Sequence, residues 1–171
     1  AASVLVNALA ERYQVDPSQV FVGVGSDDVL AMAFMTFFNS EKPILFPDIT
    51  YSFYPVWAEE FRIPFEKVAL KDDFTICKED YYRENGGIVF PNPNAPTALA
   101  MGLKDVEEII RHNPDVVVIV DEAYVDFGAE SAFEQVVQII LDASGGLGRI
   151  VIQIMNVYVT QLVRFGKFFR Q

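Results

Sequence analysis

The sequence predicts a three-layer α/β/α domain built on a mostly parallel, doubly wound sheet. Three observations carry that reading. Apolar runs alternate with helical patterns along the whole chain of 171 residues. Four of the runs are Val/Ile-rich, as strands covered on both faces tend to be. Polar residues able to do chemistry gather where the runs stop, and in such sheets the ligand crevice lies beyond the carboxyl ends of the strands.

In chain order, a helical pattern over Ala1–Tyr13 precedes a strand at Phe21–Val24, and Asp28–Phe38 follows as a helix. This second helix is apolar nearly all round (Val29, Leu30, Met32, Phe34, Met35, Phe37, Phe38), which predicts a sandwiched position. Pro43–Phe46, Phe65–Leu70, Gly87–Phe90, Val116–Val120 and Arg149–Met155 read as strands, with helices at Phe53–Phe61 and Lys104–His112 between them. In Ser131–Asp142, Phe133, Val136, Val137, Ile140 and Leu141 follow the spacing of one buried helix face. Ser131 and Glu134 form a capping-box pattern at its start, and Gly145-Gly146 supplies its stop. The length suits one domain, with no linker or repeat.

Thirteen basic against twenty-four acidic side chains give a net charge of −11, which argues against nucleic acid and anionic lipid as partners. One cysteine, Cys77, and one histidine, His112, make neither a disulfide nor a Cys/His zinc site. A reducing, cytoplasmic setting is expected. No apolar stretch reaches about 18 residues, so no membrane span is expected. His112, at a helix end before Asn113-Pro114, reads as a cap whose charge would suit the helix dipole.

Four segments carry the chemistry. Val24-Gly25-Ser26-Asp27-Asp28 joins a strand to a helix, where free N–H groups either hold a phosphate or simply start the helix with good capping residues. Tyr51, after Pro47-Asp48-Ile49-Thr50, either stacks on a flat ring or joins Phe53, Tyr54 and Trp57 in an aromatic core. Asn92-Pro93-Asn94-Ala95-Pro96-Thr97 is a rigid turn whose amides can bond a ligand oxygen. Val118-Ile119-Val120-Asp121-Glu122-Ala123-Tyr124 is an apolar strand ending in two carboxylates and a phenol. A carboxylate there can accept a hydrogen bond from a protonated pyridine nitrogen, or can begin a solvated loop.

In this order and at these spacings, from about Asn7 to Ser131, the segments resemble the histidinol-phosphate aminotransferases. The resemblance implies a fold-type I large domain, with about seven strands in the order 3-2-4-5-6-7-1 and strand 7 antiparallel. Leu162–Phe168 would supply strand 7; a competing reading makes Tyr158, Leu162, Phe165 and Phe169 one stripe of a terminal helix capped by Asn156. It further implies pyridoxal phosphate as cofactor, and amino transfer between histidinol phosphate and glutamate. Asp121 would hold the pyridine nitrogen, Tyr124 the ring oxygen, and Tyr51 would stack on the ring. Ser26 and Asp27 would cradle the phosphate through backbone N–H groups, with Arg164 supporting it one residue out of register. Asn94 would contact the ring, because Ala95 stands before Pro96 where the family carries asparagine.

The departures are as specific. Val24 and Asp28 replace a usual Asn and Glu, and Val157 stands where the resemblance expects the lysine that bonds the cofactor, leaving Lys167 as the lysine nearest that strand. The run from residue 155 to 171 diverges from the family. An N-terminal arm and a small C-terminal domain are expected to be absent, which makes the whole chain read as one engineered or minimised large domain without catalytic activity. The apolar residues Ile154, Val157 and Val159 predict that pyridoxal phosphate binds weakly or not at all. Two alternatives stand beside that reading: a residual pyridoxal-phosphate binder or aminotransferase acting on histidinol phosphate and 2-oxoglutarate, and a self-associating module such as a homodimer.

Overall fold

The computed structural model describes residues 2–127, 129–132, 151–155 and 160–162. Its strands are β1 (Val20–Phe21), β2 (Ile44–Pro47), β3 (Phe65–Val68), β4 (Gly87–Pro91), β5 (Val118–Glu122), β6 (Val151–Met155) and β7 (Thr160–Leu162). The helices are α1 (Ser3–Tyr13), α2 (Ser26–Phe37), α3 (Phe53–Glu60) and α4 (Leu103–His112). The strands form one sheet in the order β3-β2-β4-β5-β6-β7-β1. Neighbours pair in parallel from β3 to β6, whereas β7 is antiparallel to both β6 and β1. That is the expected order, with β5 at the centre.

Strand pleating divides the core into two layers. Successive residues face opposite sides of a sheet, so Ile44, Phe46, Val89 and Ile119 pack beneath α2 and α3, against Leu30, Phe34, Tyr54 and Ala58. Leu45, Ile88, Phe90, Val118 and Val120 face the other way and meet Val106, Ile109 and Ile110 of α4. Every residue of β2, β4 and β5 is buried, as a parallel sheet with helices on both faces requires. Phe34, fully buried on α2, meets Phe38 edge-on and the ring of Tyr54. A third cluster seats α1 on β1 through Ala10 and Val20.

Where sequence and structure differ, the causes are local. α2 starts at Ser26, two residues before the expected start, because Gly25 with φ 96° turns the chain straight into the helix. β1 is correspondingly short: only Val20 and Phe21 pair with β7 before the chain leaves the sheet. The expected sandwiching of α2 holds on one side only. Val29, Leu30, Ala33 and Phe34 are buried, but Met32 and Met35 are 39% and 61% exposed, since no fourth layer covers the helix among the described residues.

Strand 7 lies at Thr160–Leu162, earlier than the expected Leu162–Phe168. Its pairing of Leu162 with Gln153 and Val20 excludes the terminal-helix reading at that residue. Residues 163–168, and nearly all of the helix expected over Ser131–Asp142, lie outside the described residues. Among the described residues no helix is long and apolar enough to cross a membrane.

Candidate functional site

β1 runs in the same direction as the parallel strands, because β7 is antiparallel to both of its neighbours. The segments that follow β1, β2, β4 and β5 therefore emerge at one edge of the sheet. Four of the expected site segments thus meet there.

At the centre is Asp121, next to last in β5 and 4% exposed. Pleating sends it to the same face as Ile119, under α3, where its Oδ2 accepts a hydrogen bond from the hydroxyl of Tyr54 at 2.8 Å. Its Oδ1 accepts the backbone N–H of Ala123 at 3.1 Å. Burial raises the carboxyl to about 6, against the lowering effect of these two donors, and the charge of Asp27 adds to the rise. Asp121 is thus poised to change charge near neutrality.

Glu122 goes to the opposite face and does different work. Fully buried, it accepts the hydroxyl of Ser131 at 2.8 Å and the N–H of Ala132 at 2.5 Å. The Ser131 hydroxyl thus donates to a strand carboxylate nine residues upstream in the chain. Glu134, the other half of the expected capping box, is outside the described residues.

Tyr51 stands between α2 and α3. Its hydroxyl donates to Oδ1 of Asp27 at 2.5 Å, and its ring stacks on Phe53 and meets Tyr54 edge-on. Burial, then the bond to Asp27, pushes its phenol well above the ordinary value, with Asp121 and Tyr124 contributing. Ser26 and Asp27 occupy the first turn of α2, whose first backbone bond is from Val29 N–H to Gly25. The N–H groups of Ser26, Asp27 and Asp28 precede that bond and point out of the helix start, as an anion seat requires.

The turn after β4 closes on itself. Met101 N–H donates to Oδ1 of Asn92 at 2.7 Å, and Asn92 Nδ2 returns a bond to the Met101 carbonyl at 3.2 Å. Asn94 ties this turn to the segment before Tyr51, donating from Nδ2 to the Ile49 carbonyl at 2.9 Å. Its Oδ1 is buried without a hydrogen-bond partner. Ala98, with φ 57°, takes a left-handed conformation in the same turn. Tyr124, in the turn after β5, is 43% exposed; its ring lies 6.2 Å from that of Phe127, and its phenol is near enough to Tyr51 to contribute to the raised titration of that residue.

Structure therefore brings together Ser26, Asp27, Tyr51, Asn94, Asp121 and Tyr124; Arg164 lies outside the described residues, as do Val157 and Lys167. Sequence reasoning missed Tyr54, which it assigned to aromatic core. The available signal was its spacing three residues after Tyr51 on a helix beside the strand end. His112 is indeed in the last turn of α4, where its ring stacks on Tyr82 with 3.8 Å between centroids. Among the described residues no three His, Cys, Asp or Glu side chains are placed to hold a metal.

The donor set fits pyridoxal phosphate: one buried carboxylate for a ring N–H, an aromatic face beside it, a helix start for a phosphate and an exposed phenol in the turn after β5. Comparison with known proteins leads to the same kind of molecule. The family model for aminotransferase class I and II matches residues 2–155. The histidinol-phosphate aminotransferase of Lactococcus lactis subsp. cremoris is 54% identical over 130 residues, covering 76% of this chain and 36% of that protein. That of Acinetobacter baylyi is 54% identical over 131 residues, covering 77% and 36%. The crystal structure of the histidinol-phosphate aminotransferase from Clostridium acetobutylicum superimposes with a TM-score of 0.74 at 14% identity, over 95% of this chain and 50% of that one. The chain thus spans about a third of the length of the sequence relatives.

Proposed function

Because the chain belongs to the class I and II aminotransferase family, whose cofactor is pyridoxal phosphate, we propose that it is a large domain of histidinol-phosphate-aminotransferase type that seats this cofactor without completing transamination. The observation that carries the reading is Asp121: a buried carboxylate at the end of the central strand, aimed beneath Tyr51 and Tyr54 and accepting two hydrogen bonds. Glu122 beside it is buried in structural bonds to Ser131 and Ala132, whereas Asp121 ends the strand where the Ser26–Asp27, Tyr51 and Asn94 segments emerge, and its desolvation raises its carboxyl to about 6.

Asp121 would accept the ring N–H and Tyr51 would cover the ring. Tyr124 and Asn94 would face the ring oxygen, and the N–H groups of Ser26 and Asp27 would take the phosphate. When bound, the cofactor supplies an electron sink for a substrate amine. Amino transfer also needs a base to move a proton, a contribution worth about 10²–10⁴ in rate. Val157 stands where the resemblance expects that lysine, and the family match ends at Met155. These two facts support seating without turnover.

The test is a titration with pyridoxal phosphate followed by absorbance, then borohydride reduction. Reversible binding weakened by Asp121→Ala, no covalent adduct and no glutamate formed from histidinol phosphate and 2-oxoglutarate are expected. Binding that ignores Asp121→Ala overturns the site; steady glutamate formation overturns the absence of turnover. A second reading, association into a homodimer, is favoured by the exposed Met32 and Met35 on α2. Sedimentation of the pure chain tests it, and a Met35→Glu chain should then run as the monomer.

A further inference from the structure

Asp121 cannot be held by its own strand. Its side chain leaves β5 for a space lined by groups from four other places. Asp27 and Tyr51 face it from α2 and from the segment before α3, Tyr54 faces it from α3, and the Ala123 N–H from the turn after β5. Of these, Tyr54 alone is a side-chain donor to the carboxylate, and it is itself fully buried. Its ring is clamped by Phe34 at 6.1 Å, Phe46 at 6.0 Å and Tyr51 at 5.7 Å between centroids. The hydroxyl therefore has one place to point.

We propose that Tyr54 is the positioning residue of the cofactor seat, holding Asp121 as an oriented carboxylate with its remaining acceptor capacity directed at the ring nitrogen. This rests on the cofactor reading above and extends it to a residue that touches no cofactor. Oδ2 is fixed by Tyr54 and Oδ1 by the Ala123 N–H, so the carboxylate plane is set before any ligand arrives, and its ordering entropy need not be lost on binding. A carboxylate has about four lone-pair sites, and two donors leave room for a ring N–H.

The charge state depends on the same bond. Burial drives Asp121 towards the neutral acid, and Asp27 pushes in the same direction. The Tyr54 hydroxyl and the Ala123 N–H oppose both. Removing the hydroxyl leaves the burial and the Asp27 charge in place and takes away one of two opposing donors. Asp121 would then be largely protonated at neutral pH, a poorer acceptor for a pyridinium.

The experiment follows the carbon-13 signal of the Asp121 carboxyl, identified by its loss in Asp121→Asn, against pH in the wild-type chain and in Tyr54→Phe. The midpoint, about 6 in the wild type, is expected to rise by about one to two pH units in the variant, the size of one hydrogen bond to a charged group. Pyridoxal phosphate affinity at pH 7 is expected to fall several-fold and to recover as pH is raised. An unmoved midpoint overturns the proposal, as does a moved midpoint with unaltered affinity. If the wild-type chain binds no pyridoxal phosphate while the midpoint still moves, the cofactor reading fails and the hold of Tyr54 on Asp121 stands. Should Tyr54→Phe not fold, 3-fluorotyrosine placed at position 54 keeps the ring and strengthens the donor. The midpoint should then fall, and an unchanged value overturns the proposal.

Discussion

Tyr54 and Asp121, 67 residues apart in the chain, meet as a buried phenol and carboxylate with 2.8 Å between oxygens. The pair joins the helix above the sheet to the central strand below it. Its cost and its use have the same origin, a charge kept out of water.

That cost is measurable as a function of pH. The folded-state carboxyl of Asp121 lies near 6 against an ordinary 3.8, so its stabilising contribution is complete below 3.8 and is lost as pH rises through about 6. Two pH units correspond to about 3 kcal/mol. Asp121→Asn should therefore match the wild type near pH 4 and exceed it by up to that amount above pH 7. Urea unfolding of both proteins across this range checks it, and a difference independent of pH would sink the idea.

Glu122 should behave in the opposite sense. It is fully buried and receives the Ala132 N–H, so Glu122→Ala leaves that donor without a partner and should cost about 1–3 kcal/mol. Glu122→Gln keeps an acceptor oxygen and should cost less. Equal denaturation midpoints for the two variants would contradict this account.

Ala98 offers a stabilising change. A left-handed conformation costs a residue with a β-carbon about 1–2 kcal/mol, and glycine escapes it. Ala98→Gly should accordingly stabilise the chain by roughly 0.5–1 kcal/mol, after the extra entropy of unfolded glycine is subtracted. A lower melting temperature in the variant would show that the turn does not need this conformation.

The bond between Tyr51 and Asp27 predicts a spectroscopic change. Burial, followed by this acceptor, raises the Tyr51 phenol above the ordinary 10. Asp27→Asn removes the negative charge and should return one phenol towards lower pH in an ultraviolet titration. No difference between the two titration curves would mean that Tyr51 and Asp27 are not joined in solution.

Much of this was legible in the residues themselves. Runs such as Val118–Val120 and Gly87–Phe90 could only be buried strands, and the polar segments at their ends had to lie at one edge of a parallel sheet, because parallel strands all end on the same side. Asp121, Tyr51 and the Ser26–Asp27 helix start lie together at that edge for this reason, while the roles proposed for them came from the resemblance. Local sequence could not assign the adjacent carboxylates Asp121 and Glu122 to different tasks; the pleat of β5 decides that by sending one to α3 and the other to the far layer. Nor could it distinguish Tyr54 from an ordinary core aromatic. Its hydroxyl acquires a purpose only when α3 crosses above β5, a long-range packing event in which no neighbour in sequence takes part.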